Sequence, residues 1–234
     1  MSQNNLWGRM AESFAGLFYP RLCYACGQNL PPGSEPVCIS CHYKLPRTSH
    51  HQFPENEFTE RFWGRVDIQA AAACFQFVKT GRVQRLLHHL KYERKREIGT
   101  YFGREYGAVL RAVPGFKNVD LIVPVPLHWR KKRIRGYNQA AAFAEGLSWS
   151  MCCPWEEALE RVVHTDTQTK KSRLDRLMNV AQAFQLKSPG QLEGKHILLV
   201  DDVVTTGATL EVCTAELLKE AGCTVSLAAI AIAV

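Results

Sequence analysis

No apolar run in these 234 residues is long enough to cross a bilayer as a helix, a task that takes about 20 residues. No membrane span is therefore expected. The opening Met1-Ser2-Gln3-Asn4-Asn5 puts no basic flank ahead of an apolar stretch, so no secretory signal is expected either. The expected compartment is the cytoplasm, where thiols stay reduced and disulfides are rare. A Walker A loop is also missing. Gly190 to Gly194-Lys195 is one residue too short, and His196 stands where Ser or Thr is required. Acidic residues are outnumbered, 22 against 29 Lys and Arg, which leaves a net charge of +7. The excess gathers at Arg82 to Arg96, Arg130 to Arg135 and Arg161 to Arg176, so acidic partners are the ones to look for. A hydrophobic content of 46% is enough for a full core.

The most informative stretch runs from Ile197 to Leu210. Ile197-Leu198-Leu199-Val200 reads as a parallel strand covered on both faces. Asp201 and Asp202 stand where that strand should end. A turn with Thr205, Thr206, Gly207 and Thr209 follows, and Leu210, Leu217, Leu218 and Ala221 then recur at helical spacing, with Gly222 as a stop. A turn that opens a helix offers free N–H groups and the positive end of a dipole, which suit a phosphate. The hydroxyls add donors, and glycine permits close backbone approach. The acid pair cannot bind phosphate; it suits sugar hydroxyls or a magnesium ion. A sugar phosphate satisfies both halves. The bland reading is an ordinary capped connection, but two acids and three threonines in so few residues exceed what a cap needs.

Cys23-x-x-Cys26 and Cys38-x-x-Cys41 pair as two knuckles. Four thiolates at that spacing close a tetrahedral zinc shell, and the Gly-, Pro- and Ser-rich segment between them cannot build a core of its own. The alternatives are chance cysteines or two disulfides, and a reducing compartment argues against the second. Such closed sites are structural. His42 is surplus to the set and reads as exposed. The other cysteines, Cys74, Cys152, Cys153, Cys213 and Cys223, read as small buried residues. Ahead of the knuckles, Leu6, Met10, Phe14, Leu17 and Phe18 recur at helical intervals beside Trp7, which predicts a helix docked on the main domain.

Residues 44–65 read as a partly packed linker. Strands are expected at Ala70 to Phe77, Leu121 to Pro126, His196 to Val200 and Val225 to Val234. Helices are expected over Val83 to Leu90, Ile98 to Val113, Tyr137 to Ser150 and Gly207 to Ala221. Alternation of this kind gives an α/β fold, a mostly parallel sheet flanked by helices, whose ligands sit beyond the carboxyl ends of the strands. The expected division is residues 1–55, a helix with a small zinc finger and linker, and residues 56–234, the α/β domain.

The loop Asp201 to Thr209 resembles the phosphoribosyl pyrophosphate (PRPP) signature of type I phosphoribosyltransferases. The block Asp120 to Ala140, with its Arg-Gly-Tyr-Asn-Gln run, is similar to the central motif of the ComF/GntX family of competence and DNA utilisation proteins. Lys91-Tyr92, Arg161, His164-Thr165, Asn179, Ala183-Phe184 and the four cysteines continue that likeness over nearly the whole chain. It implies a type I phosphoribosyltransferase-like fold. By the same resemblance Asp201 and Asp202 hold the ribose as catalytic acids, and Val203, Val204, Thr205, Thr206, Gly207, Ala208 and Thr209 hold the 5′-phosphate. Val125, Pro126, Leu127, His128, Arg130, Arg133 and Arg135 would form the pyrophosphate site. Thr167, Gln168, Arg173 and Arg176 would belong to a flexible covering loop. Zinc is implied as a structural ion and magnesium as a companion of PRPP.

Two functions follow as expectations. One is a phosphoribosyltransferase, with magnesium and arginine stabilising the leaving pyrophosphate, although no residue reads as the acceptor's general base. The other is a factor in DNA uptake that binds single-stranded DNA, with Arg130, Lys131 and Lys132 on phosphates and Trp129, Tyr137, Trp149 and Trp155 available to stack on bases. DNA-uptake machinery proteins would then be partners. A basic run also reads as a solvated face, and Tyr137 and Trp149, inside an expected helix, also read as core. A PRPP-sensing regulator without turnover is the third reading.

Overall fold

The computed structural model describes residues 21–31, 33–162 and 184–233. The expected helix before the knuckles and the expected covering loop, with Thr167, Gln168, Arg173 and Arg176, lie outside the described residues. In chain order the elements are β1 (Arg21–Leu22), β2 (Asn29–Leu30), α1 (Ile39–Lys44), β3 (Ala71–Phe77), α2 (Arg82–Tyr92), α3 (Arg96–Leu110), β4 (Leu121–Pro124), α4 (Trp129–Arg135), α5 (Gln139–Met151), β5 (Leu159–Arg161), β6 (Phe184–Leu186), β7 (His196–Val204), α6 (Ala208–Leu217) and β8 (Thr224–Ala233).

The central sheet has the order β3-β8-β7-β4, and all three pairings are parallel. Its middle strands are apolar on both faces because both faces are covered. On one side Leu198, Val200, Ala228 and Ile230 pack against Leu86, Leu90, Phe102, Phe143 and Leu147 of α2, α3 and α5. On the other, Ile197, Leu199, Leu227 and Ala229 meet Phe58, Phe62, Leu210, Cys213 and Leu217. The alanine-rich β8 favours helix by local propensity, yet burial between two layers makes it a strand. The α/β fold class is as the sequence predicts.

Several boundaries differ from the sequence expectation, each for a physical reason. β7 does not stop at Val200. β8 is long enough to pair onward, with Val203 opposite Ala231 and Val204 opposite Ile232, so the acid pair lies within the strand. β4 ends at Pro124, because Pro126 has no N–H to donate; Val125 still donates to the Val200 carbonyl at 2.8 Å. α4 was not anticipated, since Trp-Arg-Lys-Lys-Arg-Ile-Arg has no apolar periodicity and buries no residue. Gly136 closes it in the left-handed region, φ 83°. Tyr137 precedes α5 rather than starting it, because Asn138 is the N-cap. Trp149 is no core residue: it is 69% exposed and lies against the Arg104 guanidinium. Cys152 is exposed, unlike the other four scattered cysteines. The stretch read as a linker carries buried Phe58 and Phe62, and a buried His50 bonded to Glu57. His42 is half-buried and bonded to Glu105.

α3 and α5 touch backbone to backbone. A Cβ on Gly146 would lie 2.2 Å from the Thr100 carbonyl oxygen, and one on Gly103 would lie 2.4 Å from that of Phe143. Neither backbone atom can swing aside as a side-chain end would. Gly146→Ala is therefore expected to force the helices apart at about 1–3 kcal/mol. In a chain of this size that lowers Tm by roughly 2–4 °C per kcal/mol. An unchanged melting curve would show that the pair separates freely.

Candidate sugar-phosphate site and cysteine cluster

β4 and β7 are parallel neighbours, Pro124 opposite Val200, so the segments beyond them emerge side by side at one sheet edge. Asp201 and Asp202 alternate along β7 and so turn to opposite faces of the sheet. Asp202 is buried and pairs with Lys91 of α2, Nζ to Oδ1 3.1 Å. Asp201 is half-buried, and its Oδ1 accepts the Asp202 N–H at 2.7 Å. Burial and the neighbouring Asp202 charge push the Asp201 carboxyl up to about 7, against the pull of Lys91 and Arg135.

Past the acids, residues 203–210 and Asp201 line a cavity of about 40 Å³. Gly207 turns the chain at φ 81°, and a Cβ there would meet the Phe62 ring at 3.0 Å. Thr205, Thr206 and Thr209 are exposed, and the N–H groups of Thr206 and Gly207 have no hydrogen-bond partner among the described residues. Arg61 donates to the Thr205 carbonyl from below, and Arg65 pairs with Glu211 of α6. The Thr205–Thr209 loop and the start of α6 thus rest on Arg61, Phe62 and Arg65. These come from the stretch read as a linker, and no sequence motif marks them.

The second loop holds Val125 buried and Pro126, Leu127 and His128 half-buried. Asn138 anchors it: its Nδ2 donates to the Val125 carbonyl at 2.9 Å while its Oδ1 accepts the Ala140 N–H that opens α5. His128 accepts the Arg130 N–H and starts α4, and desolvation with the charges of Arg161, Arg130 and Lys131 keeps its imidazole below its ordinary value. Arg130, Lys131 and Arg133 are exposed. Lys132 is engaged by Glu157 at 3.1 Å. Arg135 turns inward, donating to Gln139 Oε1 at 2.8 Å and lying over the Tyr92 ring. The Arg-Gly-Tyr-Asn-Gln run therefore acts as a bracket: each of its residues caps, turns or ties the loop between β4 and α5.

The sulfurs of Cys23, Cys26, Cys38 and Cys41 all lie within 4.8 Å of one another, with Cys26 and Cys38 3.9 Å apart. Tetrahedral zinc with bonds of about 2.3 Å needs sulfurs about 3.8 Å apart, so the set fits one metal ion. Backbone N–H groups already point at the sulfurs, from Cys38 to Cys23 Sγ at 3.3 Å and from Cys41 to Cys38 Sγ at 3.4 Å. Burial opposes ionisation of Cys23, yet donors from Cys38, Ala25 and Cys26 outweigh it and bring the thiol down to about 7. Burial pushes Cys41 up to about 12. The cluster sits on the main domain: Tyr24 donates to Glu97 Oε1 at 2.7 Å, and Arg85 donates to the Ala25 carbonyl at 3.3 Å.

Comparison with known proteins gives the relatives of this arrangement. A phosphoribosyl transferase domain model matches residues 138–234, the span from the α5 cap through the acid pair to the last strand. DNA utilization protein YhgH of Escherichia coli O157:H7 is 31% identical over 229 residues, covering 90% of this chain and 96% of that protein. The chain belongs to the ComF/GntX family. Competence protein ComFC of Bacillus subtilis is 26% identical over 201 residues, 86% of this chain and 79% of that one. Competence protein F of Haemophilus influenzae is 41% identical over a shorter span, 93 residues, or 39% of this chain and 41% of that protein. The ComF/GntX chain thus carries a phosphoribosyltransferase-like domain beside a metal-compatible cysteine cluster. No helix among the described residues is long and apolar enough to cross a membrane.

Proposed function

We propose that this ComF/GntX protein binds PRPP with magnesium and acts in DNA uptake or DNA utilisation, with single-stranded DNA as its second ligand. The observation that carries the first half is the helix-opening loop, whose Thr206 and Gly207 N–H groups stand beside an acid pair at the carboxyl end of β7. Residues 203–209 take the 5′-phosphate, Asp201 and Asp202 the ribose hydroxyls, and the Val125–His128 loop with Arg130, Arg133 and Arg135 the pyrophosphate. The oxygen donors of the acid pair suit a magnesium ion that arrives on a polyphosphate, the usual way that ion is held. When bound, it would neutralise pyrophosphate charge. Lys91 would orient Asp202 and, with Arg135, favour the ionised form of Asp201, and residues 203–209 would hold the phosphate end of the sugar. One zinc ion occupies the four cysteines as a structural element, and a cytoplasmic location keeps its thiols reduced. The finger and linker, residues 1–55, and the α/β domain, residues 56–234, are the two proposed units. Isothermal titration of the whole chain with PRPP and magnesium tests the reading. Saturable, magnesium-dependent binding is expected, and no heat in either metal condition rejects it.

The names of the relatives and the charge on α4 support the DNA half. α4 buries none of its side chains, and Trp129, 52% exposed, has the His128 ring and the Arg130 guanidinium as neighbours. Bases stack on such a platform while cations follow the backbone. Trp149 lies in a different setting, a groove of about 1020 Å³ where Arg96 and Arg104 face Glu97, Glu105 and Glu145, so phosphates gain little there. Binding of a short oligonucleotide is expected to weaken by about 0.7 log units per phosphate contact for each tenfold rise in salt. Replacing Arg130, Lys131 and Lys132 by Ala should flatten that slope by about two units where all three touch phosphate, which requires Lys132 to leave Glu157, and replacing Asp202 should leave it as it is. Salt-independent binding, or none at low salt, would reject direct contact. DNA-uptake machinery proteins would then be the partners that carry the role.

A further inference from the structure

We infer that Lys91 is a positioning residue of the acid pair: it pairs with Asp202 and fixes the carboxylate in the place where the sugar hydroxyls must find it. The inference rests on the PRPP reading for the identity of the ligand. The pairing itself stands on geometry. Among the described residues, Lys91 is the one cation within ion-pair distance of either acid, 3.1 Å from Asp202 Oδ1, and the two side chains are 22% and 13% exposed. A pair so far out of water is costly unless both partners are held.

Both are held. Asp202 is fixed by the pairing of β7 with β8 on either side of it. Lys91 lies in the last turn of α2, and that turn is tied from the loop side. The Tyr137 hydroxyl donates to the Leu90 carbonyl, and the Arg135 guanidinium lies 5.6 Å from the centre of the Tyr92 ring. The cysteine cluster ties the same helix further up, through Arg85 to the Ala25 carbonyl and through the Tyr24 ring 5.2 Å from that of His89. α2 cannot slide along the sheet without breaking these contacts, so Lys91 is delivered to one place.

The consequence is geometric. Two adjacent carboxylates repel each other. The groups that face the pair are Lys91 from α2, Arg135 from α4 and Tyr137 before α5, with Cys213 of α6 on the Asp201 side. Asp201 also accepts the Asp202 N–H, whereas Asp202 has Lys91 as its one ion pair among the described residues. Removing the ammonium leaves the Asp202 carboxylate free to swing away from Asp201 and from the place where the sugar hydroxyls must find it.

The test titrates wild-type protein, Lys91→Gln and Lys91→Arg with PRPP and magnesium, and compares crystal structures of the free proteins. Lys91→Gln should weaken PRPP binding at least about tenfold, the loss expected when one charge-assisted contact is misplaced. Its free structure should show the Asp202 carboxylate turned away from its wild-type place. Lys91→Arg should restore most of the affinity and the wild-type orientation of Asp202. Unchanged affinity in Lys91→Gln overturns the positioning role. So does a loss of affinity with Asp202 unmoved, a result that makes Lys91 a direct phosphate contact. If wild-type protein binds no PRPP, the functional reading fails. The orientation of Asp202 in the free variants still decides whether Lys91 governs the pair.

Discussion

Elemental analysis of the purified chain is expected to find one zinc ion, and Cys23→Ser is expected to lose it together with the fold of the cysteine-rich segment. The size of the effect follows from what surrounds the sulfurs. β1 and β2 have two residues each, and α1 has six. Elements so short do not persist without help, since a lone two-stranded ribbon and a helix of less than about 12 residues are marginal in water. Metal supplies that help, with apparent binding free energies of about 10–16 kcal/mol in isolated zinc-finger peptides. The apolar residues among the ligands, Ala25 and Val37, are buried in the same cluster as Phe102 and Leu87 of the main domain. Loss of metal should therefore expose residues 23–41 to proteases first and loosen the Tyr24–Glu97 and His42–Glu105 contacts next. The parallel sheet should survive, because its own two-sided core contains no cysteine ligand on the α6 side. A metal-free chain with the same protease resistance, or less than about a third of an equivalent of zinc after metal-replete expression, would sink the prediction.

What was legible in the sequence, and what was not, divides along a physical line. The strand at Ile197 was plain because a buried parallel strand must be apolar without interruption. The cysteine set was plain because ligand chemistry fixes residue type and spacing together. The turn into α6 was plain for a related reason: glycine at Gly207 and the helical spacing from Leu210 mark where a strand gives way to a helix. The supports of these features were not visible. Lys91 is about 110 positions from Asp202 in the chain and meets it only through α2 packing, a contact that periodicity cannot show. Arg61 and Phe62 brace the Thr205–Gly207 turn from a segment with no regular pattern. The glycines of α3 and α5 read as weak helix residues until the partner backbone is seen against them. α4 was missed because a helix that buries nothing leaves no stripe in the sequence.

Replacing Asp201 and Asp202 together by Asn is expected to weaken PRPP binding at least tenfold, and more if both carboxylates contact the sugar. Charge-assisted hydrogen bonds contribute roughly 1.5–3 kcal/mol each, and about 1.4 kcal/mol is a decade in affinity. The asparagines keep the size and the acceptor oxygens, so the loss reports charge rather than shape. The pH dependence should distinguish the two acids. Asp201 is raised to about 7 by burial and by Asp202, so wild-type binding should strengthen as pH rises from about 6 to about 8 and the carboxylate ionises. Stability runs the other way. A carboxyl whose folded value lies above its unfolded value of about 3.9 contributes fully at low pH, and that contribution is lost as pH climbs through 7. Asp201→Asn removes the cost of holding this charge beside another. It should therefore melt above wild type near pH 8 while binding PRPP more weakly. Opposite movements of stability and affinity are what a site kept for its ligand shows, since a merely structural acid would lose both together. Unchanged affinity in the double variant would move the sugar site away from β7. A lower melting temperature for Asp201→Asn at that pH would mean the charge is satisfied within the fold, and the pair would then have a structural role.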